Sequence, residues 1–262
     1  MLKLEQLSLA IGRRVLLRDV SLQVNSGEFI TILGENGCGK STLMRSMAGL
    51  HPQYSGTIRF NQQCLTQWSA PQLARQRAWV NQHNQLQFAF LTEEVLLLAR
   101  ANQRESQQQS VALICQLAER FGLSQLFGRD IRSLSGGERQ RVFIAKALLQ
   151  LMPNANEAAT AQGFENKLLL LDEPTSALDF RFQKATMELL QSYCQQGLGI
   201  VCVSHDINLV LPYASQVVLL ADGQCLACGP VSEVITPANL LQCLGTQPRL
   251  IEQVSGIPFI TH

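Results

Sequence analysis

Gly34-Glu35-Asn36-Gly37-Cys38-Gly39-Lys40-Ser41 matches the phosphate-binding pattern G-x-x-x-x-G-K-[ST] at every fixed position. The residues before it, Phe29-Ile30-Thr31-Ile32-Leu33, form a short apolar run rich in β-formers. Those after it, Thr42-Leu43-Met44-Arg45-Ser46-Met47-Ala48-Gly49, read as a helix closed by glycine. Strand, loop and helix are the context the motif needs. Glycines at 34, 37 and 39 permit a bend tight enough for successive N–H groups to point at phosphate oxygens. The helix start adds about half a positive charge beneath the same anion. Lys40 is placed to reach the β- and γ-phosphates of a nucleotide, and the Ser41 hydroxyl to bind Mg²⁺. With glycine at about 7% of residues, the four fixed positions recur by accident in about one per cent of chains this long.

Further along the chain, other apolar runs end in polar residues. Ala78-Trp79-Val80-Asn81 reads as a strand ending at Gln82, by itself an ordinary polar loop residue. Leu168-Leu169-Leu170-Leu171 runs into Asp172-Glu173, and a continuous apolar run suits a buried parallel strand whose carboxyl end carries ligand chemistry. Two carboxylates there need compensation, which Mg²⁺ beside Asp172 and a water at Glu173 would supply. Gly199 to Val203 is the next buried strand, followed by Ser204-His205-Asp206. A cap on the following helix is one reading of His205, but its place at another strand end argues for the site. His51, His83 and His262 have no such support. Ser135-Gly136-Gly137 opens a helical run, Val142 to Leu151, and offers free N–H groups and a positive dipole end. Standing alone it would be an ordinary serine cap. Ser176-Ala177-Leu178-Asp179 caps a helix to about Gln195.

The remaining elements frame these motifs. Leu2 to Leu9 and Leu22 to Val24 alternate as strands of a small antiparallel sheet, Thr57 to Phe60 is a short strand, and Pro71 to Arg77 is a helix. From about 83 to 135 the pattern turns helical, with Thr92 as cap, Glu93 and Glu94 in the first turn and Arg100 in the last. Asn102 to Gln109 is polar, a loop or an exposed helix start, and Ser110 to Phe121 continues as an amphipathic helix ended by Gly122. Such a block inside αβ alternation indicates an all-helical insert. Met152 to Asn166 reads as an exposed loop, and Val217 to Ala221, Asp222-Gly223 and Gln224 to Ala227 as a hairpin, with a short helix over Ser232 to Ile235. From Thr246 the tail carries no pattern.

Lys plus Arg is 21 and Asp plus Glu is 20 in 262 residues, a formal net charge of +1. So balanced a chain gives no general argument for a nucleic-acid or anionic-membrane surface. Charged residues are 16%, against roughly 25% in soluble domains, so part of the surface is expected under a partner. No window approaches the ~18 apolar residues of a membrane-spanning helix, and Met1-Leu2-Lys3-Leu4-Glu5 is unlike a signal peptide, so a cytoplasmic chain is expected. The eight scattered cysteines fit reduced thiols; Cys225-x-x-Cys228 has metal-like spacing but no second pair, and follows a hairpin turn.

The phosphate loop, Gln82, Leu134-Ser135-Gly136-Gly137-Glu138, Leu168 to Glu173, Ser176 to Asp179 and His205 stand in the order and approximate spacing of an ABC-transporter ATPase. The chain resembles that family from about residue 2 to 242, and the Leu-Ser-Gly-Gly-Glu signature is the most specific element. The resemblance implies an α/β fold in one ABC ATPase domain: a phosphate-loop (RecA-like) ATPase core, an antiparallel β subdomain and an inserted α-helical subdomain. Core and β subdomain would span about 1–82 and 145–228, the helical subdomain about 83–144, and a C-terminal extension about 229–262.

The resemblance further implies ATP and Mg²⁺ as ligands. Gly34, Glu35, Asn36, Gly37, Cys38, Gly39, Lys40, Ser41 and Thr42 would surround the phosphates, and Ser41, Gln82 and Asp172 the metal. Glu173 would polarise the attacking water, with His205 on the γ-phosphate and Gln82 and Lys40 as further catalytic groups. Ser135, Gly136, Gly137 and Glu138 would cap the γ-phosphate held by the partner subunit's Lys40, and Asp179 would communicate across that homodimer. Two positions depart from the pattern: Glu35 stands where proline is common, and Ile11 where an aromatic side chain often stacks on adenine. Implied partners are transmembrane permease chains and a periplasmic or surface binding protein, with this chain peripheral at the cytoplasmic face of the inner (plasma) membrane. Phe88 to Val95, the signature and the loop before Leu168 resemble importers of haem, ferric siderophores and vitamin B12, an iron chelate being the first choice. The alternative is a soluble, non-transport ABC ATPase such as an iron–sulfur assembly scaffold.

Overall fold

In the computed structural model, which describes residues 1–51, 53–82, 88–154, 163–245, 249–251 and 257–261, two antiparallel strands come first, β1 (Leu2–Ile11) and β2 (Arg14–Val24). β3 (Phe29–Leu33) enters the phosphate loop and α1 (Lys40–Met47), followed by β4 (Ser55–Phe60), β5 (Gln63–Cys64), α2 (Ala70–Gln76) and β6 (Arg77–Val80). Three helices come next: α3 (Thr92–Leu98), α4 (Gln107–Arg120) and α5 (Gly136–Leu151). Alternation resumes with β7 (Leu168–Asp172), α6 (Phe180–Cys194), β8 (Gly199–Val203), α7 (Ile207–Val210) and β9 (Gln216–Ala221). β10 (Gln224–Gly229), α8 (Val231–Val234), α9 (Pro237–Leu244) and the pair β11 (Arg249–Ile251) and β12 (Phe259–Thr261) complete the chain. His83, His262 and residues 155–162 of the loop expected over 152–166 lie outside the described residues, as do 246–248 and 252–256 of the tail.

The central sheet has the order β10-β9-β3-β8-β7-β6 and is parallel except at β10, while β2-β1-β4-β5 form a separate antiparallel sheet. β3, β7 and β8 are buried along their whole length because apolar side chains leave on both faces. Phe29, Leu169, Leu171 and Ile200 join the core beneath α3 to α6, and Ile30, Ile32, Leu168, Leu170 and Val201 join the core beneath the antiparallel sheet and α1. Period-two alternation within one leucine run therefore binds two layers to one sheet. The helical block opens as an insert between β6 and β7, and α5 passes without a break through residues 144 and 145.

Several local expectations change. Thr92 is the first residue of α3, not its cap; its N–H and hydroxyl both donate to the Arg129 carbonyl, and Glu94 accepts the Leu91 N–H at the helix start. Arg100 lies beyond α3 and is buried, paired with Glu105 and donating to the carbonyls of Leu149 and Met152. Arg100 holds the Glu105 carboxyl below the usual range, against a smaller opposing effect of burial. α4 starts at Gln107, capped by Ser106, so the polar stretch ends as an exposed helix start, one of its two readings. Arg100→Ala should cost about 3–5 kcal/mol, because it strands a buried carboxylate and two carbonyls. A urea midpoint within error of the unmutated protein would contradict this.

Candidate functional site

Parallel pairing places the carboxyl ends of β3, β6, β7 and β8 along one edge, where the crevice of an open αβ sheet lies. From that edge Asn36, Gly37, Gly39, Lys40, Ser41, Thr42, Gln82, Glu173 and His205 line one cavity of about 630 Å³, with Arg14 and Leu16 of β2 as its far wall. Two glycines of the loop are dictated by space. A Cβ on Gly34 would stand 2.2 Å from the Leu220 carbonyl oxygen, and one on Gly39, at φ +114, would stand 2.9 Å from that of Leu16. Lys40 is buried, and its Nζ donates to the carbonyls of Gly34 at 2.7 Å and Glu35 at 2.8 Å, so its charge sits within the loop that would take up phosphate.

The two acids after the leucines have different environments. Asp172 is 1% exposed, and its Oδ2 is buried without a hydrogen-bond partner, while the Ser41 hydroxyl donates to the same carboxylate. Burial pushes this carboxyl up, Glu173 adds to the rise, and Ser41 and Lys40 oppose it. An orphaned carboxylate oxygen beside a hydroxyl is a donor set that suits Mg²⁺. Glu173 takes a left-handed backbone, φ +53, a strain of roughly 1–3 kcal/mol that aims its side chain into the cavity. Gln82 Nε2 donates to one carboxylate oxygen at 2.9 Å, and His205 Nε2 lies 2.6 Å from the other. Asp206, not His205, caps α7 by accepting the Leu209 N–H.

Because the folded pKa of Asp172 lies above the unfolded value of about 3.9, the unfolded chain loses this proton first. The resulting penalty grows as pH rises from the unfolded to the folded pKa and is complete at higher pH. Asp172→Asn should therefore raise the neutral-pH thermal midpoint of the nucleotide-free protein by a few degrees, the effect of about 1 kcal/mol on a chain of this size. The gain should vanish in acid. A lower midpoint at neutral pH would contradict it.

Ser135, Gly136, Gly137, Glu138 and Asp179 do not line this cavity. Ser135 caps α5, its hydroxyl accepting the Glu138 N–H at 3.2 Å while the Glu138 carboxylate accepts the Ser135 N–H at 2.8 Å. Helix geometry leaves the N–H groups of Gly136 and Gly137 without an intrahelical acceptor. The signature packs on the segment before α6: a Cβ on Gly137 would stand 2.8 Å from the Ala177 carbonyl oxygen, and Asp179 accepts the Phe182 N–H as the cap of α6. The site thus comprises one assembled cavity and a second, separate anion-directed helix start.

The ABC transporter family description matches residues 17–154, more than half of the chain. The chain belongs to the ABC transporter family. Among curated members, the hemin import ATP-binding protein HmuV of Shewanella denitrificans is 38% identical over 262 residues, covering 99% of this chain and 100% of that protein. The vitamin B12 import ATP-binding protein BtuD of Escherichia coli is 40% identical over 233 residues, 89% of this chain and 88% of that protein. Among solved structures, an ATP-binding subunit of an ABC transporter superposes with a TM-score of 0.78 at 26% identity, covering 89% of this chain and 91% of that one. An ATP-binding cassette in its ADP conformation shares the fold with a TM-score of 0.74 at 23% identity, covering 94% and 99%. This ABC chain is accordingly an ATP-binding, ATP-hydrolysing subunit with the ABC ATPase fold.

Two features of the ABC site escaped the sequence reading. Arg14 and Leu16 wall the cavity, and Ile11, which stands where an aromatic side chain often stacks on adenine, is 62% exposed at the end of β1. The alternation of β2 could have indicated Leu16, but nothing in the sequence marks Arg14. α9 has ordinary end signals, Thr236 as cap, Pro237 next and Gly245 after the last turn, and its Cys243 packs behind the phosphate loop against the Leu33 and Leu220 carbonyls.

Proposed function

We propose that this chain is the ATPase subunit of a membrane importer. In that reading it works as a head-to-tail homodimer that closes on two ATP molecules and opens after hydrolysis, and its cargo is an iron chelate, haem first, or vitamin B12. Support for import comes from the full-length similarity to HmuV and the nearly full-length similarity to BtuD. The observation that carries the catalytic part is the convergence of Lys40, Ser41, Gln82, Glu173 and His205 on one cavity, with the Asp172 carboxylate buried against the Ser41 hydroxyl.

Gly34 to Thr42 would hold the phosphates through backbone N–H groups, and Lys40 would leave its two carbonyls for the β- and γ-phosphate oxygens. Ser41, Asp172 and Gln82 would hold Mg²⁺, which when bound neutralises charge developing on the phosphate oxygens. Glu173 would orient and deprotonate the attacking water, with Gln82 and His205 fixing the carboxylate at its two oxygens. Ser135 and the free N–H groups of Gly136 and Gly137 would cap the γ-phosphate of the other copy, with Glu138 holding the signature and Asp179 its neighbouring loop. The parts would be core and β subdomain over about 1–82 and 145–228, helical subdomain over about 83–144 and C-terminal extension over about 229–262.

The helical subdomain offers a docking place for a permease. Phe90, Leu97, Leu98 and Ala101 line an open groove of about 520 Å³, and Phe88 beside it is 72% exposed. No helix among the described residues is long and apolar enough to cross a membrane. The chain would then sit peripherally at the cytoplasmic membrane face, with a periplasmic or surface binding protein delivering cargo to the permease. Coexpression with any permease encoded beside its gene tests this: a stable complex is expected, and Leu98→Glu should release the chain while leaving its nucleotide binding intact. Failure to form any complex would refute the importer reading and favour a soluble ABC ATPase.

A further inference from the structure

Cys225 and Cys228 lie on opposite faces of a regular strand, since an odd separation reverses the side chain. In β10 they do not. The register pairs Cys225 with Leu220 and Ala227 with Leu219, so Leu226 is the extra residue of a bulge, and Cys228 then pairs with Val218. Leu220 and Val218 share one face of β9, and the two thiols therefore share it as well. Cys225 Sγ donates to the Ala227 carbonyl at 3.7 Å, and the nearness of the two thiols holds Cys228 down at about 7 and pushes Cys225 up. Cys225 is half-buried against the core, and Cys228 is exposed at an open groove of about 800 Å³ beside Asn25, Gly56 and Gln216.

We propose that Cys225 and Cys228 form a reversible thiol–disulfide site, oxidised by small-molecule disulfides, whose closure is felt at the phosphate loop. The exposed Cys228 thiolate attacks one sulfur of the reagent, forming a mixed disulfide and releasing one thiol. Cys225 then loses its proton, attacks Cys228 Sγ and expels the second thiol. Two protein thiols are oxidised and one external disulfide is reduced, and excess thiol reverses both steps. The positions they face, Leu220 and Val218, are two residues apart on β9, a span of roughly 6.6 Å, at the upper end of the ~4.4–6.8 Å that a disulfide bridges between Cα atoms. Closure consequently tightens the bulge. The β9–β10 turn feels it next: Gly223 donates to the Cys38 carbonyl of the phosphate loop at 2.9 Å and accepts the Arg18 N–H at 2.8 Å.

The test uses the full chain, reduced and then equilibrated with oxidised glutathione over a range of ratios to its thiol form. Peptide mass mapping should find a Cys225–Cys228 cross-link that excess thiol removes, and nucleotide affinity should fall several-fold in step with it. Cys225→Ser should stop at a mixed disulfide on Cys228, and Cys225→Ser/Cys228→Ser should keep its affinity throughout. The affinity readout rests on the phosphate loop being the nucleotide site, whereas the cross-link is scored by mass alone, so the two failures are distinguishable. Absence of the cross-link at every ratio overturns the proposal, as does its formation with unchanged affinity or an equal affinity loss in the double variant.

Discussion

Glu173→Gln is expected to keep ATP bound while steady-state hydrolysis falls by roughly 10²–10⁴-fold, the usual contribution of a positioned general base. The substitution is nearly isosteric. Its amide oxygen can still accept from Gln82, now 2.9 Å from one carboxylate oxygen, so the left-handed backbone at 173 and the cavity shape should survive. What disappears is the negative charge and the proton acceptor. His205 Nε2, 2.6 Å from the other oxygen, then faces an amide nitrogen in place of an acceptor oxygen. Phosphate release and retained nucleotide, measured on the same sample, separate chemistry from binding. Hydrolysis within a few-fold of the unmutated rate would falsify the assignment of Glu173.

Ser135→Arg should lower turnover by about 10²–10³-fold, the typical effect of losing one preorganised donor to developing charge. Nucleotide binding by the isolated chain should be unaffected, because Ser135 does not line the cavity that Lys40, Ser41 and Thr42 share. The serine also caps α5 through the Glu138 N–H, so a stability loss of about 1 kcal/mol accompanies the change. A denaturant midpoint measured alongside keeps the two effects apart. Should the variant bind ATP normally and also turn over normally, the signature is only a cap.

Much of the fold was legible because its decisive elements are continuous apolar runs. β3, β7 and β8 fell where Phe29 to Leu33, Leu168 to Leu171 and Gly199 to Val203 predict them, since burial on both faces leaves a one-sided signal no room for ambiguity. The Asp222-Gly223 turn was equally plain, and both residues have positive φ, as a tight hairpin requires. Errors gathered where a polar residue had two possible partners. Thr92 looks like a cap and Arg100 like a dipole-neutralising last-turn residue, but tertiary partners, the Arg129 carbonyl and Glu105, claimed them. The bulge at Leu226 was invisible for a similar reason: register belongs to two strands at once, and β10 alone does not disclose it.

The candidate site divides along the same line. Lys40, Ser41, Asp172 and Glu173 carry their chemistry in local sequence, and strand ends bring them together. Arg14 does not, because its place at the cavity wall depends on how the antiparallel sheet packs over the loop. Ser135 to Glu138 were legible as a motif, yet they stand outside that cavity. In the proposed head-to-tail pair each copy would complete the other's site, which would account for the separation.

Hydrolysis per chain, followed by serial dilution with light scattering on the same samples, tests that pairing most directly. The rate per chain is expected to fall as the ATP-bound dimer dissociates and to approach zero where only monomers remain. A rate per chain that stays constant into the monomeric range would contradict it.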